Sequence, residues 1–108
     1  MGYADLEKDD KGYLLNTEDW NEDIAREIAK AESLELTQRH WDIIAFLRDE
    51  FFDNNGHQPN ERAMVKAMSE KWGESVATKD LYDLFPMQPS KQAGKVAGLP
   101  ETKRKGGY

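Results

Sequence analysis

The side chains that most often carry chemistry are scarce in this chain of 108 residues. Cysteine is absent, which excludes disulfides, thiolate metal ligands, cysteine nucleophiles and persulfide carriage. The two histidines, His40 and His57, lie seventeen positions apart, and no second histidine stands at the helical spacing of a zinc site. We therefore predict no metal site and no cofactor, and we assign the histidines to capping or surface roles.

An oxygen-rich stretch over residues 49–56 is the other candidate for a cation site. It lacks the alternating ligands of a calcium loop and the bidentate glutamate at the end of such a loop. We interpret it as the solvated end of a helix. The chain also contains no glycine-rich phosphate loop, no nucleophile elbow and no Ser–His–Asp set. It is therefore predicted not to be an enzyme.

The charge is divided between an acidic body and a basic end. The formal net charge is −6, and residues 1–90 carry 20 acidic and 10 basic side chains, whereas residues 91–108 carry five basic side chains and one acidic one. An acidic body repels phosphate backbones and disfavours nucleic acid as a partner. The basic end, with Lys103, Arg104 and Lys105, either folds back on the body or docks on an acidic or anionic partner.

Apolar periodicity predicts a mainly α fold, a small bundle of about five helices in a single domain over residues 1–108. The helices are expected over residues 18–31, 38–54, 59–72, 79–85 and 91–97. Thr17 is the predicted N-cap of the first helix. A flexible C-terminal arm over residues 99–108 follows the last helix.

Two further features bear on organisation and location. Turn residues 8–12 stand between two short apolar stretches, which predicts a short N-terminal β-hairpin packed on the bundle. No apolar run could span a bilayer and no secretory leader is visible, so we predict a cytoplasmic protein with no membrane insertion.

Gly94 breaks a local rule. It lies in the middle of the last predicted helix, where glycine costs about 1 kcal/mol relative to alanine. One interpretation is close packing of this helix against another backbone. The other is that a functional side chain has been lost at this position.

Residues 38–85 also have the outline of a helix-turn-helix. The recognition helix would run from Thr78 to Phe85 and carries Lys79, but also Asp80 and Asp83. Carboxylates facing phosphates are unfavourable, and no set of side chains is placed to contact base edges. These features disfavour DNA binding, and a DNA-binding regulator with this helix-turn-helix-like core is kept as the alternative hypothesis.

Several blocks of the sequence together resemble the DsrC/TusE/DsvC family. This family includes the gamma subunit of dissimilatory sulfite reductase and the sulfur-relay protein TusE of tRNA 2-thiouridine synthesis. The resemblance extends from about residue 5 to residue 100. The blocks that carry it best are His40-Trp41-Asp42, Leu84-Phe85-Pro86, Lys91-Gln92-Ala93 and Ala97-Gly98-Leu99-Pro100.

The resemblance implies a helical protein with a short hairpin, a helix-turn-helix-like core and a flexible arm that inserts into a partner. It also implies a sulfur carrier, in which the penultimate cysteine of the arm takes up persulfide sulfur and some members have a second cysteine upstream. The upstream position is Gly94 in this chain and the penultimate position is Gly107. Because glycine has no nucleophile, carrier chemistry is not expected here.

The resulting hypothesis is a DsrC/TusE-like protein of sulfur metabolism that acts by protein binding and regulation. Its partner would be a sulfite-reductase-like or a Tus-type sulfur-transfer complex. Arg62 and Lys66 lie one turn apart on the third predicted helix, and the resemblance implies that a basic residue there faces the cysteine region of the arm. The predicted partner-binding residues are Arg62, Lys66, Lys91, Lys103, Arg104 and Lys105.

Overall fold

The computed structural model describes residues 2–54, 56, 58–87 and 89–99, and this part of the chain is mainly helical. Two short 3₁₀ turns, Tyr3–Asp5 and Thr17–Asp19, precede the helices. The helices are α1 (Glu22–Ala31), α2 (Gln38–Asp53), α3 (Glu61–Trp72), α4 (Thr78–Leu84) and α5 (Pro89–Val96). The predicted mainly α class is confirmed. None of the helices described here is both long and apolar enough to cross a membrane.

The helix α5, of only eight residues, lies at the centre of the bundle. It packs against α1, α2, α3 and α4, and its inward side chains are small, among them Ala93 and Val96. Because these side chains are small, the four surrounding helices can approach α5 closely. A chain of modest hydrophobic content can therefore still form a well-packed core. Pro89 is the first residue of α5, where its missing N–H costs nothing.

The predicted N-terminal β-hairpin is wrong, because no strand forms among the described residues. The two stretches meet only at an isolated antiparallel bridge between Lys8 and Leu14. The Asp9 carboxylate accepts a hydrogen bond from the backbone N–H of Tyr13 at 3.0 Å, so turn chemistry takes a donor that a longer ladder would have used. Tyr13 and Leu14 are buried, and the segment is held by packing on the bundle.

The first helix begins later than its sequence pattern predicts. The N-cap is Asn21, whose side chain accepts a hydrogen bond from the Ile24 N–H at 2.9 Å, whereas Thr17 opens a 3₁₀ turn. Asparagine is at least as good an N-cap as threonine. As a consequence Trp20 stands outside α1, with extended backbone, and its side chain is available to another element.

His40 joins α2 to α4. Its Nδ1 accepts a hydrogen bond from the Thr37 backbone N–H at 3.0 Å, and its Nε2 lies 2.9 Å from the Leu84 carbonyl oxygen, to which it donates. The ring also meets Phe85 edge to face at 5.0 Å. Both nitrogens are used only when the imidazole is neutral. The capping role predicted for His40 is confirmed, and His57 lies outside the described residues.

Asp42 joins α2 to the end of α3. It accepts hydrogen bonds from the Trp72 indole N–H at 2.8 Å and from the Gln38 amide at 2.9 Å. Burial alone would raise the pKa of Asp42, but these bonds and the charges of Lys71 and Arg39 lower it overall. Two members of the His-Trp-Asp block therefore hold helices together.

Protonation of His40 should destabilise the fold. Burial lowers the pKa of His40 below its ordinary value of 6.5, although the bond to Leu84 partly opposes the shift. The stabilisation by neutral His40 is complete at pH values above 6.5, the ordinary pKa of histidine in the unfolded chain. It is lost as the pH falls through the lower pKa that His40 has in the folded protein. We expect the free energy of unfolding in urea to fall between about pH 7.5 and about pH 5.5.

The His40→Gln variant supplies the control, because its side chain does not titrate. It should be less stable than the wild type at neutral pH and should lose less stability on acidification. Equal losses in the two proteins would contradict this role of His40.

Candidate functional site

Gly94 lies buried in α5, yet it does not support close packing against a neighbouring backbone. A Cβ atom built on Gly94 would meet no atom within 4 Å beyond its own helix and chain neighbours. The close-packing interpretation is therefore wrong for the described residues. The position where the family resemblance implies a cysteine can hold a side chain and holds none.

The N-terminal end of α5 meets the N-terminal end of α3. The Ser90 hydroxyl donates to the Glu61 carboxylate at 3.2 Å, and the Ser90 backbone N–H lies 3.5 Å from the same oxygen. A carboxylate at a helix N-terminus satisfies backbone donors that have no partner within the helix. Arg62 and Lys91, the chain neighbours of these two residues, therefore belong to adjoining helix ends.

Gln92 is a buried structural residue. Its amide nitrogen donates to Glu32 at 3.2 Å, and its amide oxygen accepts from the Met87 N–H at 2.9 Å. Glu32 also pairs with Lys95 at 3.1 Å. These bonds fix α5 to the end of α1, so the Lys-Gln-Ala block maintains the bundle whether or not a cysteine follows it.

The predicted basic residues of α3 and α5 differ in exposure. Arg62 and Lys66 are exposed one turn apart on α3, and Lys91 is half-buried on α5. Within the described part of the chain, none of the three forms an ion pair or a side-chain hydrogen bond, whereas Arg39 pairs with Glu74 at 2.6 Å. Unpaired cations at adjoining helix ends form a surface that could bind an acidic partner.

A cleft of about 650 Å³ opens beside Arg62. Its lining is mixed, and the residues that contribute to it are Asn60, Glu61, Arg62, Val65 and Thr78. The described residues contain no group of three side chains that could hold a metal ion. The chemistry available in this cleft is ion pairing and hydrogen bonding.

The remaining predicted site residues are Lys103, Arg104, Lys105 and Gly107. All four lie outside the described residues, so their assignments stay predictions. The structure thus brings together only the helix ends that carry Arg62 and Lys91, with Lys66 one turn further along α3.

Sequence reasoning missed Arg48 and Trp20. Arg48 is half-buried; its guanidinium lies 4.0 Å from the centre of the Trp20 ring and 4.9 Å from that of Phe52, and its Nη1 donates to the Ala97 carbonyl at 2.6 Å. The Trp20 indole N–H donates to the Val96 carbonyl at 2.8 Å. Burial lowers the pKa of Arg48. The sequence indicated that Trp20 is apolar and near the core and that Arg48 directly follows the apolar Leu47, but not that the two side chains meet.

The C-terminal end of α5 is closed by a Schellman motif. The Leu99 N–H donates to the Gly94 carbonyl at 3.0 Å, and the Gly98 N–H donates to the Lys95 carbonyl at 3.1 Å. Gly98 has φ of +75°, and a Cβ atom there would overlap the Trp20 ring. The backbone therefore turns at Gly98 against a surface made by Trp20.

The candidate recognition helix offers little to DNA. It is α4, of seven residues, and it exposes Lys79 and Asp83. The Asp80 carboxylate accepts a hydrogen bond from the Ala77 N–H at 2.9 Å, so it caps the helix. One exposed lysine beside a carboxylate is a poor phosphate-binding surface, and this helix does not support the DNA-binding alternative.

Comparison with known proteins gives a consistent result. The family model described as "DsrC like protein" matches residues 1–104. The chain is 49% identical over 98 residues to the sulfurtransferase TusE homolog of Haemophilus influenzae, which covers 90% of this chain and 89% of that relative.

Two solved structures share the fold. The NMR structure of Allochromatium vinosum DsrC superimposes with a TM-score of 0.83 at 42% identity, over 92% of this chain and 88% of the other. The crystal structure of the oxidized gamma-subunit of the dissimilatory sulfite reductase (DsrC) from Archaeoglobus fulgidus gives 0.84 at 35% identity, over 92% and 90%.

Alanine substitutions at the two glycines of α5 should have opposite effects. Gly94→Ala fills open space in a helix interior and should raise the free energy of unfolding by about 0.5–1 kcal/mol. Gly98→Ala adds a Cβ atom at positive φ against the Trp20 indole ring. It should lower the free energy of unfolding by about 1–3 kcal/mol or more. Urea unfolding of the two variants measures both changes, and a loss of stability in Gly94→Ala would show that the position is not open.

Proposed function

This chain belongs to the DsrC-like protein family, and from that premise we propose that it acts in sulfur metabolism by binding protein partners without carrying sulfur itself. The family resemblance seen in the sequence is confirmed by the match over residues 1–104 and by the TusE relatives. The DsrC and TusE relatives are sulfur-relay proteins. The proposal concerns how a member of this family works without a thiol.

The observation that carries the proposal is the absence of cysteine from all 108 residues. A persulfide forms when a thiolate attacks sulfane sulfur, and it is passed on through a second thiolate. The thioether of methionine cannot form a persulfide. Gly94, at the upstream cysteine position, places no side chain in its open space, so nothing on α5 takes over the nucleophile's role.

The scaffold supports a binding role because it is intact despite this loss. His40, Asp42 and Gln92, from the blocks that mark the family, hold helices to one another. Their structural use preserves the shape of the surface without any contribution to sulfur chemistry. A preserved surface without a nucleophile suits a protein that occupies a partner's docking site.

The partner-binding surface of the proposal is the basic one. It comprises Arg62, Lys66, Lys91, Lys103, Arg104 and Lys105. Arg62, Lys66 and Lys91 lie on adjoining helices of a chain with a net charge of −6, so they would direct an acidic partner surface to that part of the molecule.

The names of the relatives indicate the kind of partner. The Archaeoglobus fulgidus relative is described as the gamma-subunit of the dissimilatory sulfite reductase, and the bacterial relatives are described as sulfurtransferase TusE. We therefore propose a sulfite-reductase-like or a Tus-type sulfur-transfer complex as the partner. By occupying a site that a cysteine-bearing relative also uses, the chain would act as a regulator.

The purified chain should take up no sulfane sulfur from a persulfide donor. Intact-mass spectrometry after incubation should show no added sulfur atom, because no side chain can accept one. A Gly107→Cys variant is the positive control and should gain sulfur that a reductant removes. Stoichiometric uptake by the wild type would refute the binding-only mechanism.

Partner binding should depend on the basic face of α3. In calorimetric titration of the wild type against a purified sulfite-reductase-like or Tus-type complex, Arg62→Glu should weaken binding by roughly tenfold, because it places like charges together. Lys30→Glu makes the same change of charge at an exposed, unpaired lysine of α1 and should leave the affinity nearly unchanged. Failure of the wild type to bind either complex would argue against the proposed function.

A further inference from the structure

Exposed apolar side chains occur together at the corner between α4 and α5. Among the described residues, four large apolar side chains are exposed to water, and two of them, Tyr82 and Met87, stand five positions apart around this corner. Met87 is 72% exposed, more than any of the others. Pro86, between them, is exposed as well. Neighbouring apolar side chains that stay in water on a folded protein, unlike scattered ones, mark a surface that another molecule covers.

The backbone at Met87 is held in place by the bundle. Its N–H donates to the amide oxygen of Gln92 at 2.9 Å, and Gln92 is itself buried and bonded to Glu32. Phe85 and Pro89, two positions before and after Met87, are buried as well. A side chain presented on a fixed backbone loses less freedom when a partner covers it, which favours its use as an anchor.

The corner continues along α4 to the cleft beside Arg62. Thr78 lines this cleft together with Arg62 and Val65, and Tyr82 lies one helical turn after Thr78 on α4. Residues four positions apart share a helix face, so Tyr82 lies on the face of α4 that borders the cleft. The exposed apolar side chains and the cleft therefore form one surface, to which Val65 adds a further apolar side chain.

The charges around this surface favour an acidic occupant. Arg62 on α3 and Lys79 on α4 are exposed, and within the part of the chain that the structure describes neither forms an ion pair. Of the carboxylates nearby, Glu61 accepts hydrogen bonds from the start of α5 and Asp80 caps α4. Asp83 is the exposed negative charge beside Tyr82. Two exposed cations thus stand against one exposed carboxylate, and the excess attracts carboxylates of a partner.

We propose that Tyr82 and Met87 are the apolar anchors of a docking surface whose occupant is a protein surface with an apolar pocket rimmed by carboxylates. The inference deepens the proposed function and rests on it, since the occupant belongs to the partner complex named there. Aromatic side chains and methionine are enriched in the cores of interfaces, where a few anchors supply most of the affinity. Cations at the rim, Arg62 among them, set orientation and association rate.

The first test compares matched substitutions in calorimetric titrations against the purified sulfite-reductase-like or Tus-type complex. Met87→Gln keeps the length of the side chain and removes its apolar end, and it should weaken binding by roughly tenfold, as should Tyr82→Gln. Leu15→Gln makes a comparable change at a residue that is 56% exposed and lies outside α4 and the cleft, and it should leave the affinity unchanged.

Conservative variants separate apolar contact from other effects. Met87→Leu stays apolar with a similar volume and should bind like the wild type, and Tyr82→Phe keeps the ring and should do the same. All of these side chains are exposed, so the midpoint of urea unfolding should not change in any of the variants.

The second test probes the same surface without any substitution. Hydrogen peroxide transfers one oxygen atom to a methionine thioether, which becomes a sulfoxide while the O–O bond breaks and water leaves. The chain contains no cysteine, so no thiol competes for the reagent. Met87 should react much faster than Met64 and Met68, which are 0% and 1% exposed. Saturation with the complex should slow the oxidation of Met87 by about fivefold or more, as measured by peptide mass spectrometry.

Two further measurements define the occupant. Binding should weaken by about fivefold between roughly 50 and 300 mM NaCl, because exposed ion pairs at the rim are screened by salt. Vesicles of phosphatidylcholine and phosphatidylglycerol should not bind the wild type, since the surface is proposed to fit a protein.

The outcomes are distinguishable. If the complex binds Met87→Gln and Tyr82→Gln as tightly as the wild type, or if Met87 is oxidised equally fast when bound, the inference is overturned and the proposed function stands. Affinity that does not depend on salt overturns the carboxylate rim. Tight vesicle binding that Met87→Gln abolishes assigns the surface to a membrane and also overturns the inference. If the wild type binds neither complex, the proposed function fails and the inference fails with it.

Discussion

The structure depends on the hydrogen-bond partners that other elements supply to both ends of α5. At its start, Glu61 from α3 receives the hydrogen bonds of Ser90. At its end, Arg48 from α2 and Trp20 from the preceding turn take its last carbonyls. A short central helix cannot supply these partners itself. α2 and α3 are therefore held to α5 through its termini, in addition to the packing of its apolar face.

Helix positions and most of the core could be predicted from the sequence because both follow from local periodicity. The stripe of Ile24 and Ile28 is buried on α1, and Gly73 ends α3 at φ of +67°. The hairpin could not be predicted correctly, because alternation and turn residues do not say whether Asp9 or a strand partner takes the backbone donors. The N-cap of the first helix, predicted at Thr17, lies at Asn21 for a similar reason, since both residue types can cap a helix.

The candidate site was less predictable because its contacts are distant in sequence. Arg48 meets Ala97 across 49 positions and Trp20 meets Val96 across 76, and no local pattern reports such a pairing. Arg62 and Lys66 could be placed one turn apart from helical spacing alone. The open space beside Gly94 could not be predicted. A glycine inside a helix fits either a close contact with another backbone or an empty position, and the sequence alone does not distinguish them.

The fold of the described residues is built without any thiol. The side chains of His40 and Gln92 satisfy buried polar groups, and removing either would leave an unpaired donor or acceptor in the core. A cysteine at position 94 would have no such structural duty, because no neighbour within 4 Å depends on its Cβ. No contact of α5 therefore requires a side chain at position 94, whereas the carbonyls of Ala97 and Val96 depend on Arg48 and Trp20 for their hydrogen bonds.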